Sequence, residues 1–447
     1  MKKFHFIGIG GAGMSVVAEL LTGRGLQISG SDAKDSARLQ ALRKQGIDAY
    51  APHDAARLPE DATIVVSSAI RPSNPELAKA RVRGQTVLHR SQALAIAAAG
   101  MDFIAVAGAH GKTTSSAMLA SALMKLGVDP SYAIGGSVLG KGSGAHLGKG
   151  EVFVAEADES DGSFLNYQPK IALVTNVEAD HLDHYGSLAA FEQAFADFAG
   201  LVTGTLVVCA DDEGAARLAK VAQSGSARVL TYGRNGAVKL VVAGDGADAA
   251  AFVVYEGERA PLRLQVPGYH NLLNATGVVA VMLALGFPLE RACAAQKAFV
   301  GTGRRFELRG QVRGITVRDD YAHHPTEVGA LVDQARSVTA GRILVMFQPH
   351  LYSRTQNFAD RFAKALRGAD EVVLAPIFGA REDPVPGVTS ALIAQHLPGA
   401  RLCQSLSEGA QMLADMAEAG DLVITVGAGD ITNAATEILD RLNAQGS

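Results

Sequence analysis

The stretch Ala105-Val106-Ala107-Gly108-Ala109-His110-Gly111-Lys112-Thr113-Thr114 sets a lysine and two threonines directly after a glycine loop. An apolar run, Phe103 to Ala107, precedes the loop and predicts a buried strand. A helical pattern follows from about Thr113 to Leu126, with apolar residues at Met118, Leu119, Leu123 and Leu126. Strand, glycine loop, Lys-Thr and helix make a phosphate-binding layout, in which backbone N–H groups over Gly108 to Thr114 and the helix N-terminus point at an anion. Lys112 would reach the terminal phosphates of a nucleotide, and the Thr113 hydroxyl would ligate Mg²⁺. The spacing is short: Val106 stands where the usual phosphate loop has its first glycine, so the motif here is G-x-x-G-K-T-T from Gly108.

Two acidic segments complete this chemistry. The apolar run Glu151 to Ala155 leads into Glu156-Ala157-Asp158-Glu159-Ser160-Asp161, and Ile171 to Thr175 leads into Asn176-Val177-Glu178-Ala179-Asp180-His181-Leu182-Asp183. Acidic clusters are commonly solvated loops. Here both stand at the C-terminal ends of strands expected beside the phosphate-loop strand, where open α/β sheets hold ligands. Magnesium bound to a triphosphate takes one or two carboxylates plus waters; Glu156 and His181 are the residues expected to supply that site. Gly135 to Gly144 is glycine-rich and reads as a flexible connector.

A second phosphate-approach motif opens the chain. Phe4 to Ile9 predicts a strand, Gly8-Ile9-Gly10-Gly11-Ala12-Gly13 opens a helix, and Leu26 to Gly30 predicts a second strand ending at Ser31-Asp32. This is G-x-G-x-x-G with an acidic residue beyond it, the dinucleotide fingerprint in strand–turn–helix context. It says that a phosphate approaches the backbone, not whose phosphate. Ser67 and Ser68 end a further strand pattern, Ile64 to Ile70; they could line the same crevice or simply form a turn.

Beyond the phosphate loop, a β-rich section from Val238 to Val266 leads to His270, Asn271 and Asn274 at the start of an amphipathic helix. The two asparagines share one face. An N-cap would explain Asn271 alone, and a base or ribose contact would explain both. Arg304-Arg305 suits a phosphate or ribose clamp, or a solvated pair. Further strands are expected at Ile315 to Arg318, Ile343 to Phe347, Glu371 to Leu374 and Leu422 to Val426. Asp319 to Glu327, Gln348 to Thr355 and Gly427 to Asp430 are polar segments at such strand ends and would form one wall of a site.

The whole is a three-domain α/β chain: a Rossmann-like unit over 1–98, a central phosphate-loop domain with a β-rich section over 99–310, and a Rossmann-like C-terminal unit over 311–447. Its 447 residues suffice for several cores, and a net charge of −4 gives no ground for non-specific nucleic-acid binding. Cys209, Cys293 and Cys403 lie far apart without metal-ligand spacing, as thiols of a reducing compartment would. The N-terminal apolar run is broken by glycines and Glu19, unlike a signal peptide. The apolar helix near Asn271 to Leu285 is too short to span a bilayer. A cytoplasmic protein, monomer or homodimer, with no membrane or nucleic-acid partner is expected.

Taken together these motifs resemble the Mur ligase family. The resemblance runs through Gly8 to Ser15, Ala107 to Thr114, Glu156 to Asp161, Glu178 to Asp183, His270 to Asn274, Arg304 to Glu307, Asp319 to Glu327 and Gln348 to Thr355. Eight motifs in order are far more specific than any one, and the short glycine spacing is itself a family feature. The family usually has Thr at the position of Ala109. The resemblance implies that the first domain holds the UDP end of a substrate rather than NAD, through Gly10, Gly11, Ala12, Gly13, Met14, Ser15, Asp32, Ser67 and Ser68. It implies that the central domain binds ATP and that the third completes the site. The implied reaction joins UDP-N-acetylmuramate and L-alanine with ATP, through an acyl phosphate, giving UDP-N-acetylmuramoyl-L-alanine, ADP and phosphate in peptidoglycan precursor synthesis.

Carried over residue by residue, Thr113 and Glu156 hold the nucleotide-side Mg²⁺, and Glu156 with His181 a second. His270, Asn271 and Asn274 fall on the adenine side. Arg305 and Asp320 are ribose and phosphate contacts. Tyr321, His323, His350 and Arg354 meet alanine and the phosphoryl group, with Arg354 for the alanine carboxylate. Leu351 replaces a basic residue of some relatives, and no lysine lies between His181 and Lys220 to serve as the carbamate-modified lysine of others. The competing readings are a ligase that attaches a recycled tripeptide, an NAD-dependent dehydrogenase that leaves Lys112 and Glu156 idle, and a GTPase-like switch that lacks an N-K-x-D segment.

Overall fold

The computed structural model describes residues 2–136, 144–244, 250–380 and 382–445. Two compact units emerge: one gathers Met1–Ala243, Ala250–Gln265 and Leu272–Val300, the other takes Val266–Asn271 and Gly301–Ser447. Three sheets organise them, two in the first unit and one in the second.

The first sheet is wholly parallel, in the order β3 (Asp48–Tyr50), β2 (Gln27–Ser31), β1 (Lys3–Ile7), β4 (Thr63–Val66), β5 (Val87–His89). Phe6, Ile7, Ile64 and Val65 are fully buried, as strands covered on both faces require. The strand expected over Ile64 to Ile70 stops at Val66. Ser67 and Ser68 belong to a turn closed by Ile70 N–H donating to Ser67 O, so turn formation describes their backbone.

Behind this sheet sits a buried carboxylate. Asn74 caps the helix Pro75–Val82 by accepting from Glu76 and Leu77 N–H, and Pro75 occupies a first-turn position. Glu76 accepts from the Ser31 hydroxyl, from Tyr50 OH at 2.9 Å and from Asp54 N–H at 2.8 Å, and His5 Nε2 lies 3.5 Å away. Burial works against its charge, but the hydrogen bonds from His5, Ser31, Asp54 and Tyr50 outweigh it and hold the carboxyl down at about 2. Glu76→Ala is expected to cost about 2–4 kcal/mol, because the donors lose a shared buried acceptor. The folded-state value lies below the unfolded one. The charge therefore stabilises fully above about 4.5, and its contribution disappears as pH falls through about 2. Urea unfolding of wild type and Glu76→Gln at stepped pH should show the gap closing across that window; a gap independent of pH would refute it.

The central sheet runs β15 (Glu258–Leu262), β14 (Ala250–Tyr255), β13 (Val238–Ala243), β12 (Arg228–Gly233), β11 (Thr205–Cys209), β10 (Ile171–Val174), β6 (Asp102–Ala107), β9 (Val152–Glu156), β7 (Ser131–Ala133), β8 (Ala145–His146). Its middle is parallel: β6 pairs with β10 on one side and β9 on the other. The β-rich section is the antiparallel ribbon β13–β14–β15 at one edge. Of the glycine-rich connector, residues 137–143 lie outside the described residues.

The C-terminal sheet runs β16 (Glu307–Val312), β17 (Ile315–Asp320), β21 (Leu422–Val426), β18 (Ile343–Phe347), β19 (Glu371–Leu374), β20 (Arg401–Leu402), parallel except for the β16–β17 hairpin. Apolar side chains cover both faces, with Val345, Phe347, Ile424 and Phe362 on one and Val317, Leu344, Met346 and Ile438 on the other. Among the described residues no helix is long and apolar enough to cross a membrane.

Candidate active site

The phosphate loop forms because β6 ends at Ala107 and the helix Lys112–Lys125 starts five residues on. Gly108 (φ +129°) and Gly111 (φ +83°) take backbone conformations that disfavour a side chain. A Cβ on Gly108 would also fall 2.1 Å from Thr175 Oγ1. Neighbouring strand ends anchor the loop: His110 N–H donates to Asn176 Oδ1 at 2.9 Å, and His110 O accepts from Thr175 Oγ1 and Asn176 Nδ2. Asn274 lies over the loop, its Oδ1 2.9 Å from where a Gly111 Cβ would be.

Lys112 Nζ donates to Gly108 O at 2.6 Å, to Ala109 O at 3.2 Å and to Glu159 Oε1 at 2.8 Å. Three acceptors require three N–H donors, so the group is an ammonium. Burial lowers its pKa, but Glu159 and Asp158 more than offset this and hold it above the ordinary lysine value. Glu159 is 1% exposed. Burial pushes it up to about 7, against the pull of Lys112. Asp158 stays at about 2, because Arg90 and then Lys112 outweigh its burial.

Thr113 Oγ1 donates to Glu156 Oε2 at 3.2 Å, and Gly135 N–H donates to Glu156 Oε1 at 2.7 Å. A hydroxyl from the first turn of the helix Lys112–Lys125 and a carboxylate from the end of β9 are thus brought together, an all-oxygen pair of the type hard cations take. His181, in the left-handed region at φ +52°, lies with Nε2 3.8 Å from Glu159 Oε1 and 3.6 Å from Asp180 Oδ2. Glu159 therefore joins Lys112 to His181. In the sequence Glu159 is one of several carboxylates in an acidic cluster, with nothing to single it out but its position three residues after Glu156, just past the strand end.

In the first domain, Gly8 and Ile9 N–H both donate to Ser31 O, and Gly10 N–H donates to Asp32 Oδ2 at 2.8 Å. A Cβ on Gly10 would strike that carboxylate at 2.9 Å. Gly11, Ala12, Gly13, Met14 and Ser15 carry the backbone into the helix Ala12–Gly23, with Met14 and Ser15 buried. Ser68 donates to Asp161 and lies 3.2 Å from His89 Nε2.

The second unit gathers its predicted residues at one sheet edge. Asp320, at the end of β17, accepts from Phe306 N–H at 2.6 Å and Ala322 N–H at 2.7 Å. Burial pushes it up to about 6, against Arg305 and these two donors. The arginine pair separates. Arg304 (φ +58°) turns inward, donating to Gly427 O at 2.6 Å and Gly429 O at 3.2 Å and pairing with Asp319. Arg305 lies 3.6 Å from Glu327 and over the Tyr321 ring. His323 packs edge-on against Tyr321 and His350, and Arg354, 6% exposed, brings Nη1 within 3.4 Å of His350 Nδ1. Leu351 stands between them at φ +70°, an uncommon conformation for a non-glycine residue. His270 is held down at about 4 by burial and by Arg305. Asn271 is not an N-cap: the helix begins at Tyr269, and the Asn271 amide donates to Pro267 O.

Three segments match family domains: residues 3–101 the Mur ligase family catalytic domain, 106–282 the Mur ligase middle domain, and 304–429 the Mur ligase glutamate ligase domain. The chain is 52% identical over 447 residues to UDP-N-acetylmuramate–L-alanine ligase of Renibacterium salmoninarum, covering 99% of this chain and 96% of that protein. It is 50% identical to the enzyme of that name from Paenarthrobacter aurescens, covering 99% and 97%. The crystal structure of UDP-N-acetylmuramate-alanine ligase from Thermotoga maritima superposes with a TM-score of 0.82 at 31% identity, over 100% of both chains. With its three α/β domains, this chain belongs to the Mur ligase family.

Proposed function

We propose that this protein is an ATP-dependent ligase that joins L-alanine to UDP-N-acetylmuramate, giving UDP-N-acetylmuramoyl-L-alanine, ADP and phosphate. The observation that carries the reading is the part-buried Lys112 ammonium on a short phosphate loop beside the Thr113–Glu156 pair, in a chain that aligns end to end with relatives named for this reaction. The substrate carboxylate attacks the γ-phosphorus and ADP leaves, giving an acyl phosphate. The alanine amine attacks the acyl carbon and phosphate departs. The first step brings two anions together, and in the second the neutral amine adds and its nitrogen gives up a proton as phosphate leaves, so the protein's work is positioning and charge compensation.

Lys112 offsets the negative charge on the transferring phosphoryl group, and the loop N–H groups from Gly108 to Thr114 cradle the phosphates. Thr113 and Glu156 would hold Mg²⁺, with His181 toward a second ion; the metal would supply charge neutralisation at the phosphates. Asn274, His270 and Asn271 serve the adenine, and Arg305 and Asp320 the ribose and phosphates. In the second unit Arg354 pairs with the alanine carboxylate, with Tyr321, His323 and His350 around it. Gly10 to Ser15, with Asp32, Ser67 and Ser68, receive the UDP end. The protein acts in the cytoplasm, in the first amino-acid addition of peptidoglycan precursor synthesis.

Purified protein given UDP-N-acetylmuramate, MgATP and L-alanine should release phosphate and form the alanyl product. Release with the tripeptide in place of alanine, and none with alanine, would overturn the alanine assignment. No release with either would overturn the ligase reading.

A further inference from the structure

Between the two phosphate loops of the first unit lies a chain of charged contacts that the reaction above does not use. Arg90 opens the helix Arg90–Ala97 of the first domain, and its Nη2 pairs with Asp158 Oδ2 at 2.5 Å. The same guanidinium lies against the first phosphate loop, its Nη1 3.4 Å from where a Gly13 Cβ would stand. Asp158 is followed by Glu159, whose carboxylate holds Lys112. The acidic loop is rigid where this happens: Ser160 N–H donates to Asp158 Oδ1 at 3.1 Å, Gly162 N–H to Glu159 O at 3.0 Å, and Tyr185 OH to Glu159 O. Further first-domain groups grip the same loop. Ser68 donates to Asp161, His89 Nε2 lies 3.5 Å from Asp161 Oδ2, and Ser91 Oγ accepts from Asn166 at 2.8 Å.

We propose that Arg90, a residue of the first domain, is a positioning residue for the ATP site: by gripping Asp158 it sets the loop from which Glu159 orients Lys112. The proposal rests on the nucleotide role assigned to Lys112. Its physical basis is short. Asp158 is only part-buried, its side chain 35% exposed, so losing Arg90 leaves it a carboxylate without its close guanidinium partner rather than a stranded core charge. Without Arg90, Asp158 would draw on the other cation in its field, Lys112, which it already influences. Lys112 would then be pulled from the phosphates by two carboxylates in place of one. Two ion pairs, Arg90–Asp158 and Lys112–Glu159, are thereby joined through adjacent residues of one loop, with Arg90 also lying against Gly13 of the first phosphate loop.

The test is equilibrium binding of a non-hydrolysable MgATP analogue to the full-length protein by calorimetry, which needs no turnover. Arg90→Ala is expected to weaken nucleotide binding at least tenfold, Arg90→Lys by less, and Asp158→Asn to a lesser degree than Arg90→Ala. The double variant Arg90→Ala/Asp158→Asn should bind better than Arg90→Ala alone, because the unpaired carboxylate is gone. A merely structural role would make the double variant the worst of the four. Nucleotide affinity within twofold of wild type in Arg90→Ala, or additive losses in the double variant, would overturn the proposal. If Arg90→Ala does not fold, Arg90→Lys and its pair with Asp158→Asn carry the same comparison. Failure of the ligase reading would show differently, as a wild-type protein that binds the analogue but releases no phosphate with either amino-group substrate.

Discussion

Lys112→Ala is expected to lower phosphate release about 10²–10³-fold, the loss typical of removing one preorganised charge stabiliser. The experiment has a built-in complication. Lys112 is the ion-pair partner of Glu159, which is 1% exposed, so the single variant strands a buried carboxylate and should also melt earlier. Burial already pushes Glu159 up to about 7, so the stranded group would take up a proton near neutral pH, which limits the damage. The two effects separate in the double variant Lys112→Ala/Glu159→Gln. Removing the stranded charge should restore most of the melting temperature and none of the turnover. Recovery of turnover along with stability would mean that Lys112 serves only to neutralise Glu159, and the phosphate role would fall. Measuring Tm and phosphate release on the same preparations decides between the two.

The parts of this site legible in the sequence are those written in local pattern. An apolar run ending in polar residues predicted β6, β9 and β10, and their C-terminal ends carry Gly108, Glu156 and Asn176 as parallel neighbours. The same logic predicted that Asp319–Glu327, Gln348–Thr355 and Gly427–Asp430 share an edge, and β17, β18 and β21 are adjacent. What stayed hidden depends on partners distant in the chain. Glu156, Asp158, Glu159 and Asp161 are four carboxylates in six residues, and nothing local says that Glu159 is the one turned onto Lys112. Arg304 and Arg305 are identical as letters. They part because Arg304 takes φ +58° and directs its guanidinium into the Gly427–Gly429 carbonyls, while Arg305 stays beside Glu327. Arg90 is not legible in the local pattern because its partner lies 68 positions away. Ser68 shows the same limit: a turn serine by sequence, it is bound to Asp161 across 93 positions.

Glu156→Gln is the second substitution expected to be severe, and its signature differs from that of Lys112. The amide keeps an oxygen that can still accept from Gly135 N–H, so the backbone contact at 2.7 Å survives and the fold should hold. What disappears is the charge facing Thr113 Oγ1. Magnesium favours anionic oxygen and dehydrates reluctantly, so replacing one of its one or two carboxylates with a neutral amide weakens its site. At low magnesium the variant should lose about 100-fold or more in kcat/KM for ATP, a scale set by losing a charge-stabilising group at a transferring phosphoryl. Raising magnesium should recover part of that loss, because mass action refills a weakened site. A Lys112→Ala variant should gain nothing from the same titration, since its missing charge is on the protein. Phosphate release measured across a magnesium series for wild type, Glu156→Gln and Lys112→Ala separates the roles. A Glu156→Gln profile parallel to wild type at every magnesium concentration would remove Glu156 from the metal site, and leave it as the residue that fixes Gly135 against the Thr113 turn.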